Sequence, residues 1–173
     1  FFLMKKIGLK NLEWTIDYKD FLKNPINTKK GNVIIKKLKK KYKIQIQSIT
    51  CDFFMQKPFY KKKFEKDKET IISYLNILIK NSSNLNVKYL VLPLVDRSSL
   101  ENKNEEKKLL INLRKFEKLL KKSKIQILFE SDYKPKKLNK FIKKFNVKYF
   151  GINYDTGNST NLNYKFEDEM INF

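Results

Sequence analysis

The residues whose types and spacing best suit chemistry in this chain are carboxylates. Glu13 lies inside a short apolar run, and Asp52, Asp96, Glu130 and Asp155 each stand at or just past the end of another, with Asp132 close behind Glu130. Only 18 of 173 residues are acidic, so an acidic group at the end of every such run exceeds what composition supplies. Asp and Asn in such places commonly cap the helix that follows, and that reading is preferred for Asp17, Asp20 and Asp132. Glu is a poor cap, and Glu130 follows the apolar run 125–129 directly. Its carboxylate is costly to bury unless it meets a cation or hydrogen-bond donors. Two oxygen ligands from adjacent strands would suit a divalent metal such as Mn²⁺ or Mg²⁺.

The elements that must position these groups alternate along the chain. Strands are expected over 10–16, 43–50, 88–95, 124–129 and 147–154, where Ile, Val, Phe and Tyr are concentrated in short, mostly continuous runs. Continuous rather than alternating apolar runs are how strands buried on both faces of a parallel sheet read. Between them lie helical stripes: Leu109, Leu113, Phe116 and Leu120 within 105–121, and Leu138, Phe141, Ile142 and Phe145 in the next segment. Ile71, Leu75, Leu78 and Ile79 stripe 64–81, and Val33, Ile34 and Leu38 mark 28–41. Stripes at this spacing face a core. Strand–helix–strand units repeated in this way build an open doubly wound sheet or a closed barrel. A dinucleotide-binding sheet needs glycines after its first strand, but Asp17-Tyr18-Lys19-Asp20 stands there, and there is no phosphate-binding G-x-x-x-x-G-K-[ST] loop.

Composition closes off other classes. The chain has no His and one Cys, which rules out within it a Ser-His-Asp or Cys-His catalytic set, a Cys/His zinc site and a disulfide framework. Cys51 reads as a small buried hydrophobe in a reducing compartment. The net charge of +21 comes from 39 basic residues, of which only Arg97 and Arg114 are arginine. Lys, Asn, Ile, Phe and Tyr make up more than half the chain and alanine is absent. A genome-wide preference for A/T-rich codons accounts for that pattern, and phosphate clamps favour the planar fork of arginine. The lysines, scattered in runs such as 39–41, 61–63 and 121–122, therefore read as solvated helix faces. No specific nucleic-acid partner is expected. No apolar stretch approaches the roughly 20 residues a membrane span needs, and no cleavable leader is evident, so a cytoplasmic location is expected.

Taken together, these residues resemble the sugar phosphate isomerase/epimerase family of xylose isomerase-like TIM barrels. The matching segments are "GLKNLEWTID" (8–17), "SITCDFFMQKPF" (48–59), "YLVLPLVDRSSL" (89–100), "ILFESD" (127–132) and "INYDTGNST" (152–160). The pairing of "FE-x-D" with "YDTGN" about one βα unit later carries the most weight. The resemblance implies that the chain is a single incomplete barrel domain over 1–173, holding about strands two to six of eight. Residues 1–8 would then be the end of the first helix, and the first strand and the last two strands would be missing. A whole barrel runs to about 250 residues.

The resemblance also implies a role for each candidate. In the family one divalent metal is held by a Glu, an Asp, a His and a Glu on four successive strands. The first two map onto Glu130 and Asp155, and the His and second Glu would lie beyond residue 173. Mn²⁺ is the expected ion, with Mg²⁺, Co²⁺ and Zn²⁺ as alternatives. Glu130 would be both ligand and catalytic base, taking the proton next to a sugar carbonyl through an enediolate, and Asp155 a ligand only. Glu13, Asp52 and Asn158 match positions near the barrel mouth and are expected to meet substrate. The partner is a small carbohydrate, phosphorylated or not, and self-association stays open. An inosose dehydratase-like lyase and a non-catalytic basic module that binds a polyanion are the competing readings. The apurinic endonuclease branch needs several histidines and falls with their absence.

Overall fold

The structure, a computed structural model, describes residues 1–172. A short helix α1 (Phe2–Lys6) leads into β1 (Asn11–Ile16), followed after two 3-10 turns by α2 (Lys29–Tyr42), β2 (Gln45–Cys51) and the one-turn α3 (Asp52–Gln56). Then come α4 (Lys68–Asn84), β3 (Tyr89–Leu94), α5 (Lys103–Arg114), α6 (Glu117–Ser123) and β4 (Gln126–Ser131). The chain continues through α7 (Pro135–Ile142), β5 (Phe150–Ile152), α8 (Thr156–Asn161) and α9 (Phe166–Asn172). All five expected strands are present, each within a few residues of its expected bounds. The helix expected over 105–121 is two, with a turn at Lys115 and Phe116 across which the apolar stripe runs on unbroken, so the stripe alone does not reveal the break.

The strands form one parallel sheet in the order β1-β2-β3-β4-β5, as right-handed βα crossovers place consecutive strands side by side. With its helices this is five-strand α/β architecture consistent with part of a TIM barrel. Register fixes what shares the inner face. Thr15 lies opposite Thr50, Thr50 opposite Val91, Val91 opposite Leu128 and Leu128 opposite Gly151. Since successive side chains alternate faces, Glu130 is the next inward residue after Leu128, with Pro93 across from it. The other face is packed under helices: Ile16, Ile49, Leu90, Leu92, Leu94, Ile127, Phe129 and Phe150 are buried there with Leu75, Leu109, Leu120 and Leu138. No described helix is long and apolar enough to cross a membrane.

Local signals start and stop these helices. Thr28 Oγ1 accepts from the Gly31 N–H at 3.0 Å to cap α2, and Pro135 opens α7, the place where a missing N–H costs nothing. Gly31 has a second duty. A Cβ on it would lie 2.2 Å from the carbonyl oxygen of Pro25, so α2 can sit on the 3-10 turn 25–27 only because this residue has no side chain. Gly31→Ala should therefore destabilise the protein by about 2 kcal/mol in urea unfolding, the overpacking cost outweighing the roughly 1 kcal/mol that Ala offers in a helix interior.

Candidate active site at the carboxyl ends of β4 and β5

Glu130 is the fifth residue of β4, half-buried, and points from the inner face of the sheet toward the carboxyl ends of the strands. Asp155 follows β5 by three residues. Both line one crevice with Ser131, Asn153 and Asn158. Asn158 ties them together: its side-chain amide donates to Glu130 Oε1 at 2.6 Å, while its backbone N–H donates to Asp155 Oδ1 at 3.0 Å. Asp155 is thus the N-cap of α8 as well as a member of the pair. Among the described residues nothing donates to Glu130 Oε2.

The electrostatics of Glu130 follow from this placement. Burial holds its carboxyl above the usual carboxylate range, and the negative charge of Asp155 pushes in the same direction, with smaller contributions from Asp52 and Glu13. The Asn158 amide opposes them by bonding the ionised form. Desolvation and like charge both disfavour a carboxylate, and a hydrogen bond to it favours one. The four carboxylates that the sequence singled out therefore share one electrostatic field.

Their individual settings differ. Glu13, exposed on the inner face of β1, accepts hydroxyl bonds from Ser48 and, at 2.9 Å, from Thr50 across the β1–β2 ladder. Asp52 opens α3, and burial and then the charge of Asp17 raise its carboxyl. Asp20 holds the N-cap position of the 3-10 turn 21–23 without a side-chain capping bond, and Asp17 and Asp132 cap no helix. Asp20 pairs with Lys23 at 2.9 Å, and Asp132 accepts from the Ser99 hydroxyl; α7 begins instead at Lys134 and Pro135. Asp17 accepts from the Tyr18 N–H next to it. Cys51 is fully buried, and burial pushes its thiol up, as befits an inert core residue.

One residue was missed altogether. Glu169 on α9 is 2% exposed and accepts from the Tyr154 hydroxyl at 2.7 Å and the Ser159 hydroxyl at 2.5 Å. It thereby fastens α9 to the two residues that stand next to Asp155 and Asn158. Nothing in the polar string "KFEDEMINF" marks it out, since its burial depends on where α9 docks.

No family model and no curated protein matches this sequence. Solved structures do. A xylose isomerase domain protein from Planctomyces limnophilus superposes with a TM-score of 0.70 at 11% identity, over 90% of this chain and 58% of that one. The apo form of the 3-keto-D-glucoside 4-epimerase from E. coli gives 0.73 at 12% identity, over 98% of this chain and 67% of that one. The chain shares the fold of part of each of these proteins, with five parallel strands consistent with a partial TIM barrel. It spans 58% and 67% of the lengths of these two barrels, and at such identity the likeness is one of fold.

In a xylose isomerase-like barrel, as in any TIM barrel, the carboxyl ends of the strands are where catalysis is built, and Glu130 and Asp155 stand there on adjacent strands. The pair offers hard oxygen donors without a thiolate or imidazole, which suits Mn²⁺ or Mg²⁺. Among the described residues no three His, Cys, Asp or Glu side chains converge on one point, so the pair is at most part of a coordination set. Glu130 and Asp155 would hold the ion. Asn158 would orient both.

Proposed function

We propose that this chain belongs to a divalent-metal-dependent isomerase or epimerase that acts on a sugar or sugar phosphate by removing a proton next to a carbonyl. The observation that carries the reading is Glu130, half-buried beside Asp155 at the strand ends of a fold shared with a sugar epimerase. When bound, the ion would polarise the substrate's carbonyl and hydroxyl oxygens. The rest falls to the chain itself. Asn158 fixes the Glu130 carboxylate through Oε1, which leaves Oε2 to receive the proton. Because its proton affinity is raised, Glu130 is a stronger base than an ordinary surface Glu, the direction that general-base catalysis favours. Glu13 and Asp52, on the inner face and mouth, are placed to accept bonds from sugar hydroxyls.

Asp155 supplies the sharpest test, because its capping and metal-binding duties separate on one substitution. Asn caps a helix as well as Asp does but is a far poorer ligand for a hard cation. Asp155→Asn should leave thermal unfolding unchanged and weaken Mn²⁺ binding, read by calorimetric titration, by at least about tenfold. Undiminished Mn²⁺ affinity would reduce Asp155 to a helix cap and remove the metal from the proposal.

A further inference from the structure

A concavity broader than the Glu130 crevice lies at the other end of the strands. Its volume is about 710 Å³, and it is walled by the segments that lead into β3, β4 and β5 together with the C-terminal ends of α4 and α6. Five lysines line it: Lys88, Lys121, Lys122, Lys124 and Lys148. Lys121, Lys122 and Lys124 are close in sequence, and folding brings Lys88 and Lys148 to the same concavity. All five are exposed, and among the described residues none forms an ion pair and no carboxylate lines the basin.

A more modest role would be to offset the helix macrodipoles, since Lys121 and Lys122 occupy the last turn of α6. Magnitudes decide against that as the whole account. Two helix C-termini carry about half a negative charge each, against five positive charges, so a surplus of about four remains. Tyr89, 38% exposed on the inner face of β3, adds a polarisable wall beside Gln126. The basin is remote from Glu130: Gln126 and Glu130 are four residues apart on β4, about 13 Å at the rise of a strand.

We propose that this basin is a binding site for a compact oligophosphate, an anion carrying three or more linked phosphate groups. Lysine ammoniums bind phosphate as point charges, and five of them lining one cavity of ligand size suit a small dense anion better than a strand that must be tracked along a face. A single phosphate would draw little from exposed lysines at physiological salt, where screening acts over about 8 Å. The site stands apart from the sugar reaction, and its failure would leave that reading untouched.

Inorganic tripolyphosphate is the probe, titrated calorimetrically into the protein at low and at physiological salt. One saturable site is expected. Lys121→Gln, Lys122→Gln, Lys124→Gln and Lys148→Gln together should weaken it by at least about tenfold, because the field of a concave basin is summed over its lysines. A control variant with the same charge change on the exposed face of α2 (Lys36→Gln, Lys37→Gln, Lys40→Gln, Lys41→Gln) should shift it by less than about twofold. The four basin lysines changed to Arg should retain binding, which guards against a folding defect, and thermal melts of all variants should coincide. Equal weakening in basin and control variants would overturn the site in favour of a diffuse effect of the net charge. So would the absence of saturable binding, or binding of single-stranded RNA without binding of tripolyphosphate.

Discussion

In the isomerase proposed above, Glu130→Gln is expected to abolish turnover while making this chain more resistant to unfolding at neutral pH. Removing a positioned general base costs about 10²- to 10⁴-fold in rate. The gain in stability comes from the same environment. Burial and the charge of Asp155 raise the Glu130 carboxyl above its ordinary value of 4.5, so the folded state holds that proton more tightly than the unfolded chain does. The stabilisation associated with it is present in full below about pH 4.3 and is lost as pH rises through the elevated folded value. Gln carries no charge at any pH and can still accept the Asn158 amide bond. Wild type and variant should therefore melt together at pH 4. By pH 7 the variant should lead by about 3 °C, the size of one typical stabilising substitution. Melts that coincide at both pH values would mean that Glu130 is no more confined than a surface carboxylate.

The largest loss of stability is expected one residue earlier. Phe129 is fully buried, with its ring 5.7 Å from Phe141, 5.1 Å from Phe145 and 6.0 Å from Phe150. These partners come from α7, the turn after it and β5, so one side chain joins the strand that carries Glu130 to the unit that carries Asp155. Phe129→Ala should cost about 4 kcal/mol in urea unfolding, from lost transfer energy, the cavity left behind and the broken ring contacts. Domains of this kind are stable by only about 5–15 kcal/mol in total, so the site should loosen as well. Val147→Ala, at a side chain 68% exposed, should change stability by less than about 0.5 kcal/mol. A cost below about 1.5 kcal/mol for Phe129→Ala would show that the aromatic cluster does not hold β4 and β5 together.

Both expectations draw on features of unequal legibility. The apolar runs that become β1 to β5 were legible because burial on both faces leaves a continuous signature that needs no knowledge of neighbours. The stripes of α2, α4, α5 and α7 were legible for the same local reason. Three helices were not: α3, α8 and α9 have 5, 6 and 7 residues, too few for a period of 3.6 to declare itself. The capping assignment for Asp132 failed because its side chain meets a partner far along the chain, Ser99, whereas Asp20 stands at an N-cap position but spends its carboxylate on Lys23 three residues on.

The candidate site divides along the same line. Sequence alone determined that no histidine, thiol pair or phosphate loop could serve, and that Glu130 and Asp155 stand at the ends of consecutive strands. These are matters of residue identity and local pattern. Tertiary structure alone decided that Asn158 bridges the two, that Asp52 and Glu13 reach Glu130 with their charge, that Glu169 is buried beneath them and that five lysines share a basin at the far end. Burial and Coulomb energies depend on distance and on the water excluded between groups, and neither quantity exists until the chain has folded.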